Sequence, residues 1–472
     1  MTKAEKSAKN ELIFNLNDRP PLGQTVVAAL QHMAAIFIGI VTPPIVVAGA
    51  LGFDPVMKGY LISMALIVSG IATFIQCKKI GPIGSGLLSI QGTSFTFLAT
   101  ITAIGLSIKS AGGTPEQMIA AIIGTCLLGS VVEIVFSRFI PFLRKIITPL
   151  ISGIIVLLIG TNLIAVGIRD AGGGAWLLAN KPDLFAGWQN LMLAGIVLVS
   201  IVIFNRIKNK WFRMGSIFLG MLVGYVVAAA MGKVNFDAMG SLSIITAPIP
   251  FKYGISIAWP YVIPMCLLYL ITTVETMGDL TATSMISGEP VEGDLYMKRI
   301  SGGVLGDGIN SAIAAVFNSF PNTTFSQNNG VIQMTGVASR YVGFYIAGFL
   351  VLFGLFPVVG GIFSIIPNSV IGGAMLVMAG TIAASGIRII ATSVLNRRGV
   401  LIIAISLGLG YGVVFTPQIL QNFSPFFKSM LSSPITTGGL TAILLNIVLP
   451  RELNKQKISN DPEKDVLGQQ EG

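Results

Sequence analysis

The chain has 472 residues, of which 53% are hydrophobic and 11% are charged, and its mean hydropathy is +0.81. A soluble domain carries about 25% charged residues. This composition therefore excludes an ordinary soluble protein and indicates a polytopic membrane protein. The formal net charge of +10 would suit a nucleic-acid partner, but the positions of the basic residues matter more than their sum.

Residues 1–24 are polar and lack an apolar stretch followed by a small-residue cleavage site, so they predict a soluble tail and not a signal peptide. Apolar runs of about 17 to 25 residues then predict membrane-spanning helices. Eleven such runs lie near residues 25–50, 58–77, 117–137, 147–168, 187–205, 214–232, 259–283, 341–358, 370–387, 398–416 and 434–450. Three weaker runs, interrupted by Gly, Asn or Gln, lie at 85–105, 301–319 and 327–338. Residues 451–472 are polar again and predict a second tail.

A topology of fourteen spans assigns each basic residue to one side of the membrane. If the N-terminus is inside, 23 of the 30 Lys and Arg residues lie in cytoplasmic loops or tails, which is the positive-inside bias of a correct topology. The charge is therefore an orientation signal. We expect a multi-pass protein of the cytoplasmic (inner) membrane, in contact with lipid, with both termini in the cytoplasm and no nucleic-acid partner.

Internal similarity gives a second indication of the architecture. The segment "ITPLISGIIVLLIGT" (147–161) aligns with "PNSVIGGAMLVMAGT" (367–381), in the fifth and twelfth spans. The segments "SIQGTSF" (89–95) and "FSQNNGV" (325–331) each place a Gln and a Gly in a polar interruption, in the third and tenth spans. Both pairs are seven spans apart. Because seven is odd, the two halves have opposite orientations, which is the inverted-repeat plan of secondary transporters.

The stretch "FPNTTFSQNNGVIQMTG" is rich in amides and nearly free of charge, yet apolar runs flank it. An unpaired backbone group in hydrocarbon costs several kcal/mol, so a broken span is tolerated only inside protein or beside a water-filled cavity. We therefore expect residues 89–97 and 321–335 to face each other. The amide side chains in these segments belong to Gln91, Gln327, Asn328 and Asn329. Neutral amides suit a planar hydrogen-bonding solute better than an ion.

The segment "QNNGVIQMTG" resembles the signature of the nucleobase–ascorbate transporter family. The signature positions are filled by Gln327, Asn328, Gly330, Thr335 and Gly336. The resemblance covers nearly the whole chain, through "NDRPPLGQ", "QHMAAIFIGIVTP", "GPIGSGLLSIQGTSF", "TTVETMGDLTATS", "LYMKRISGGVLGDGINS" and "TGVASRYVG". Within the family it points to the bacterial xanthine and uric acid permeases.

This resemblance implies an all-α fold of fourteen spans in two inverted seven-span repeats, with spans 3 and 10 broken by short extended segments. It also implies a core domain of spans 1–4 and 8–11, a gate domain of spans 5–7 and 12–14, proton symport and a homodimer. The core domain would cover 25–137 and 259–358, and the gate domain 147–232 and 362–450.

Two carboxyl groups in the eighth span are candidates for function, because an ionisable group at membrane depth is expensive. Glu275 and Asp279 are four residues apart and share one helix face. Two carboxyls in a dry site do not both ionise readily, so such a pair suits proton uptake. The resemblance implies that Glu275 binds the nucleobase and that Asp279 takes part in proton coupling. An interhelical hydrogen bond to a Ser or Thr is the alternative for Glu275, and a purely structural role for Asp279.

Three further polar residues lie within predicted spans. His32, the only histidine, is either a proton site or a neutral imidazole bonded to another helix, and the resemblance implies that it supports the site. Asp307 matches a carboxylate important in the xanthine-permease group, with helix capping as the alternative. Glu133 lies five residues before Arg138, and we expect an interfacial ion pair there.

These observations predict a proton-coupled symporter, and not an enzyme, that imports xanthine, uric acid or both by alternating access, with the proton as coupling ion and without cofactor or metal. Glu275 and Gln327 would bind the edges of the purine ring while Phe95 stacks on its face. Ser94 and Thr96, two residues apart on an extended segment, would share one face near the substrate. The resemblance implies a longer amide near this position in xanthine-selective members, so Thr96 would leave room for the extra oxygen of urate.

Two alternatives stay open on the sequence alone: a permease for uracil or another nucleobase, and an anion permease of sulfate type, or a channel, on the same fold. The carboxyl pair argues against an anion. The sequence leaves open the preferred purine, the affinity, the stoichiometry, the oligomeric state and the most populated conformation.

Overall fold

The computed structural model describes residues 12–142, 148–209, 212–213, 215–234, 245–391, 393 and 395–450. The predicted C-terminal tail and the first eleven residues of the N-terminal tail lie outside the described residues. Spans 1 to 7 are Leu22–Leu51, Pro55–Lys78, the broken span 91–110, Pro115–Phe136, Pro149–Ala171, Trp188–Arg206 and Ser216–Ala230. Spans 8 to 14 are Trp259–Ile286, Gly293–Val316, the broken span 322–335, Arg340–Leu355, Asn368–Ala391, Arg397–Phe415 and Pro434–Val448. The predicted all-α fold of two seven-span halves is confirmed.

Short elements join the spans in both halves. They are the helices Ala175–Asn180, Pro357–Ser364 and Pro425–Leu431 and the 3-10 turns Pro182–Leu184 and Pro417–Leu420. Local sequence defines where several spans begin. The Asp54 carboxylate accepts the backbone N–H groups of Val56 (2.8 Å) and Met57 (2.9 Å), and Thr114 and Gln117 form a capping box. Both helices carry proline at their first position, where its missing N–H costs nothing.

Eight helices in the described ranges are long and apolar enough to cross a membrane on composition alone. The other six spans are shorter or more polar. Span 9 begins at Gly293, eight residues before its predicted start, and its polar residues Asn310 and Ser311 are fully buried. Such a helix packs against protein and not lipid, so it can carry polar residues, and a hydropathy criterion underestimates its length.

The two broken spans cross through a short antiparallel ladder. Strand β1 (Gln91–Thr93) pairs with strand β2 (Asn322–Thr324), and Gly92 lies opposite Thr323. A 3-10 turn (Phe95–Phe97) and a helix (Leu98–Ser110) complete span 3, and a helix (Gln327–Thr335) completes span 10. The ladder gives the interrupted backbone internal hydrogen-bond partners, as the bilayer requires. The ring of Phe325 packs directly on Gly92 and leaves no space for a side chain there. The expectation that these segments face each other is confirmed.

The spans pack in two groups. Spans 5 and 12 share the most extensive helix contact, and spans 6, 7, 13 and 14 surround them. At Gly160 of span 5, the span 12 backbone at Ala379 and Ala383 approaches too closely for a side chain. In the second group, span 2 packs on span 11, and span 4 packs on spans 8 and 9. The assignment of these groups as gate and core domains stays a prediction.

Candidate substrate site

A cavity of about 430 Å³ lies where the two groups of spans meet. Its walls come from spans 3, 8 and 10 on one side and from spans 5 and 12 on the other. The polar wall residues are Glu275, Asp279, Thr323, Thr324, Ser326, Gln327, Asn329, Gln333, Thr381, Ser385 and Arg388. The volume falls within the range of small-molecule pockets, about 300–1,000 Å³.

Glu275 is the carboxyl group at the centre of this wall. It projects from span 8 and accepts a hydrogen bond from the Thr96 hydroxyl, with Oγ1 and Oε2 3.2 Å apart. Thr96 itself is buried and lies behind Glu275, outside the cavity wall. Phe95 lines the cavity with most of its ring covered by protein. The 3-10 turn of span 3 therefore presents an aromatic face and fixes the neighbouring carboxylate.

Asp279 lies one helix turn beyond Glu275 and is tied to the other broken span. Its carboxylate accepts hydrogen bonds from Ser326 Oγ (2.7 Å) and Thr324 Oγ1 (3.3 Å). One turn further along span 8, the Thr283 hydroxyl donates to the side-chain oxygen of Asn329 over 2.7 Å. Span 8 and the helix of span 10 are thus held side by side along the cavity.

The family-signature residues of span 10 divide between two faces. The signature residues Gln327 and Gly330 line the cavity, as does Asn329, which stands between signature positions. Asn328 points away from it and donates to the Leu88 carbonyl over 2.6 Å. The buried His32 of span 1 lies beside Asn328, and neither of its ring nitrogens has a hydrogen bond of good geometry within the described part of the chain. The imidazole thus lies one layer behind the cavity.

Asp307 lies in the middle of span 9, so the helix-capping alternative is wrong. Its carboxylate is fully buried and does not line the cavity. It accepts hydrogen bonds from Gln76 Nε2 (2.7 Å) and from the Thr276 hydroxyl. The Gln91 side chain lies beside Asp307 but makes no hydrogen bond of good geometry. Asp307 therefore forms the centre of a polar layer that joins spans 2, 8 and 9 behind the site.

The segment after β1 differs from its predicted shape. The extended backbone ends at Thr93, and Phe95–Phe97 form a 3-10 turn. Ser94 caps this turn, and its hydroxyl accepts the Thr96 N–H over 3.3 Å. The prediction that Ser94 and Thr96 share one face of an extended segment is therefore wrong. Ser and Thr favour such local bonds over extended structure, which explains the error.

The expected ion pair of Glu133 is also wrong. Glu133 is 1% exposed and forms no salt bridge with Arg138, which is exposed to solvent. In the described residues, the only hydrogen bond of its carboxylate is a long one, 3.5 Å, from the Thr272 hydroxyl of span 8. Residues five apart on a helix lie on different faces, so Glu133 turns inward while Arg138 turns outward.

Sequence reasoning missed the wall that spans 5 and 12 provide. Val156 and Ile159 of span 5 and Thr381 and Ile382 of span 12 line the cavity. Apolar residues in a membrane helix give no signal that separates a cavity wall from a packing surface. Thr381 was the exception among these residues, because the internal alignment pairs it with Thr161 and so marks it in the sequence. Arg388 also lines the cavity, although its position predicted only an orientation signal.

Comparison with known sequences places this architecture in a family. The family model Xan_ur_permease, described as a permease family, matches residues 23–419. The xanthine permease XanP of Escherichia coli (strain K12) is 49% identical over 448 residues, which cover 95% of this chain and 96% of XanP. The xanthine permease XanQ of the same strain is 46% identical over 451 residues, with 96% of each chain covered.

Solved structures with the same fold are more distant in sequence. The transmembrane domain of the cyanobacterium bicarbonate transporter BicA matches with a TM-score of 0.57 at 15% identity, covering 92% of this chain and all of that chain. SLC26A9 matches with a TM-score of 0.58 at 12% identity, covering 90% of this chain and 64% of that chain. At these identities the likeness concerns the fold alone.

Proposed function

Because this chain belongs to the nucleobase–ascorbate transporter family, the permease family that its motif predicted, we propose that it is a proton-coupled symporter that imports purine nucleobases. Xanthine is the first candidate substrate and uric acid the second. The names of relatives that match almost the full length of the chain support xanthine. The proposal places the protein in the inner membrane as a homodimer, with both termini in the cytoplasm and the proton as its coupling ion.

The observation that carries the proposal is the convergence of three side chains on one cavity. Phe95 offers a ring face, Glu275 a carboxyl group and Gln327 an amide. A purine dione needs these three elements, since its faces stack and its edges present alternating N–H and C=O groups. Thr96 holds Glu275 in place from behind, so the carboxyl is oriented before the purine arrives.

Proton coupling rests on the buried carboxyl groups. Glu275, Asp279 and Asp307 form no salt bridge within the described residues, and their partners are hydroxyl and amide groups. A buried carboxylate without a counter-cation is costly, so proton uptake is its natural route to neutrality. The carboxyls that line the cavity would then bind a proton together with the purine.

Alternating access would follow from the composition of the cavity walls. The side chains that would bind the purine come from spans 3, 8 and 10, whereas spans 5 and 12 add the apolar residues Val156, Ile159, Ile382 and Ile389 beside the polar Thr381, Ser385 and Arg388. The apolar side chains of this wall offer no hydrogen bonds that a sliding movement would have to break. We infer that spans 5 and 12 act as the gate against which the binding spans move.

An anion permease or channel is the alternative of another class, and the observation that would suit it is Arg388 in the cavity wall. Two carboxyl groups in the cavity wall disfavour an anion by repulsion. Uptake of radiolabelled xanthine by cells or proteoliposomes separates the alternatives. We expect accumulation above the external concentration, abolished by a protonophore and reduced by unlabelled urate. Downhill equilibration that ignores the protonophore would reject symport, and strong inhibition by uracil would move the substrate to the pyrimidines.

A further inference from the structure

The N-terminal segment before span 1 pairs with the loop between spans 10 and 11. We call residues 12–18 the strap. The N–H groups of Ile13 and Phe14 both donate to the Gly336 carbonyl, at 2.8 and 3.2 Å, and the Phe14 carbonyl accepts the Ala338 N–H at 2.9 Å. The Leu16 carbonyl accepts the backbone N–H of Arg340 at 3.0 Å. The strap thus adds a short parallel bridge to the end of span 10.

Side chains secure the same contact. Leu16 is only 2% exposed. The Ser339 hydroxyl donates to the Asp18 carbonyl over 2.6 Å, and the Arg19 guanidinium lies over the Tyr341 ring, 4.8 Å from its centroid. The sequence segments "NDRPPLGQ" and "TGVASRYVG" are therefore two halves of one contact. Neither segment touches the cavity, so substrate binding alone does not explain them.

The contact falls at the C-terminal end of the helix that carries the substrate-site amides. Helix Gln327–Thr335 has nine residues and ends at Gly336, which adopts a left-handed conformation (φ 68°). A helix this short is marginal by itself because few backbone bonds repay its ordering. Its N-terminal end is fixed by the Ser326–Asp279 hydrogen bond. In the described residues, the strap provides the backbone contact at its other end.

We propose that the strap is a positioning element of the substrate site: by binding the Gly336 carbonyl it fixes the helix that presents Gln327 and Asn329 to the cavity. The strap remains attached throughout the transport cycle, because it joins span 1 to spans 10 and 11 within one packed group. The functional half of this inference rests on the proposed function. Its structural half does not, and the two are tested separately.

The first test targets one backbone hydrogen bond of the strap. The Ile13 side chain is 67% exposed, so Ile13→Pro deletes mainly the N–H that binds Gly336, and Ile13→Ala is the matched control that keeps it. Hydrogen–deuterium exchange of the purified full-length protein reads peptides that cover 327–336. Loss of one backbone hydrogen bond raises local opening by about fivefold, so we expect about fivefold faster exchange there in Ile13→Pro and wild-type exchange in Ile13→Ala. Equal exchange in both variants would overturn the proposal.

The second measurement is uptake kinetics for radiolabelled xanthine, normalised to the amount of protein in the membrane. A strap that positions the site raises KM by about two- to fivefold in Ile13→Pro and leaves the maximal rate nearly unchanged. A fall in maximal rate at constant KM contradicts the positioning role. If wild type transports no purine, the proposed function fails, while the exchange experiment still decides the strap.

A third test covers the case in which Ile13→Pro fails to accumulate. The bridged residues Phe14 and Val337 are both changed to Cys, in a background whose three native cysteines are replaced by alanine. Oxidation should cross-link the pair in native membranes, and uptake should stay within about twofold of the reduced protein. Failure to cross-link overturns the proposed contact, and loss of uptake on cross-linking shows that the strap must detach, which also overturns the proposal.

Discussion

Thr96→Val tests the geometry of the site through a single hydroxyl group. Valine keeps the branched shape of threonine but cannot donate to Glu275 Oε2, 3.2 Å away. Thr96 is 1% exposed, so the substitution creates neither a large void nor a solvent channel. The free carboxylate of Glu275 would lose its fixed orientation toward the cavity.

The size of the effect follows from the character of this hydrogen bond. A hydrogen bond to a charged group contributes about 1.5–3 kcal/mol. Glu275 faces the cavity, where water partly replaces the lost donor, so the lower end applies. About 1.5 kcal/mol corresponds to roughly a tenfold weaker affinity. We expect the Kd for xanthine to rise about tenfold in Thr96→Val.

The assay is calorimetric or competition binding of xanthine to detergent-purified protein, with Thr96→Ser as the matched control. Serine keeps the O–H donor, so its Kd should stay within about twofold of wild type. Equal monodispersity of the three proteins excludes misfolding as the cause. If valine binds xanthine as tightly as threonine, or serine weakens binding as much as valine, Thr96 does not orient Glu275.

Four further outcomes follow from the site. Glu275→Gln, nearly isosteric but unable to take up a proton, should abolish accumulation while the protein stays in the membrane; normal accumulation at neutral pH would contradict its role. Asp279→Asn and Asp307→Asn should lose concentrative uptake more severely than purine binding, and equal loss of both would indicate a folding role. Thr96 lies behind Glu275 and outside the cavity wall, so Thr96→Asn would act through Glu275 and should shift competition from urate toward xanthine; unchanged relative inhibition would remove Thr96 from the determinants of selectivity. Arg138→Ala should change stability by less than about 0.5 kcal/mol, whereas a larger loss in a thermal melt would restore the ion pair with Glu133.

The span count was predictable because two independent patterns agree. Apolar runs locate most helices, and the one-sided distribution of Lys and Arg requires that the weak runs also cross the membrane. The polar runs at 85–105 and 327–338 were recognisable as broken spans because hydrocarbon tolerates unpaired backbone only inside protein. The start of span 9 at Gly293 could not be predicted, because hydropathy does not distinguish a polar helix that is buried in protein from a loop.

The pairing of the two broken spans shows the limit of an alignment that rests on residue types alone. The sequence alignment equates Gln91 with Gln327, because each stands in a polar stretch near a glycine. Gln91 lies in β1, whereas Gln327 begins the helix that follows β2. By position in its strand, Asn322 corresponds to Gln91, and Thr96 is the approximate counterpart of Gln327. The two segments correspond by backbone position and not by residue type, so a match of residue types alone misplaces the register.

The carboxyl groups of the site were predictable from their cost in the membrane, but their partners were not. Asp279 receives its hydroxyl donors from span 10 and Glu275 from span 3. These donors adjoin β1 and β2 in the folded chain and are far from span 8 in sequence. The sequence predicted that the broken spans face each other, but no local pattern shows which of their side chains reach span 8.

This arrangement has a consequence for coupling. A carboxylate accepts hydrogen bonds from Thr96 or Ser326, whereas a protonated carboxyl also has a proton to donate. Each protonation of Glu275 or Asp279 therefore changes a bond that joins span 8 to a broken span. A purine that binds the amide of Gln327 would engage span 10, the broken span that is bonded to Asp279. If proton and purine both act on the contact between span 8 and the broken spans, as the proposed function requires, each would alter the binding free energy of the other by linkage. Under the proposed function, coupling would then need no conduction of the proton along a distant relay, only two ligands that share one set of hydrogen bonds.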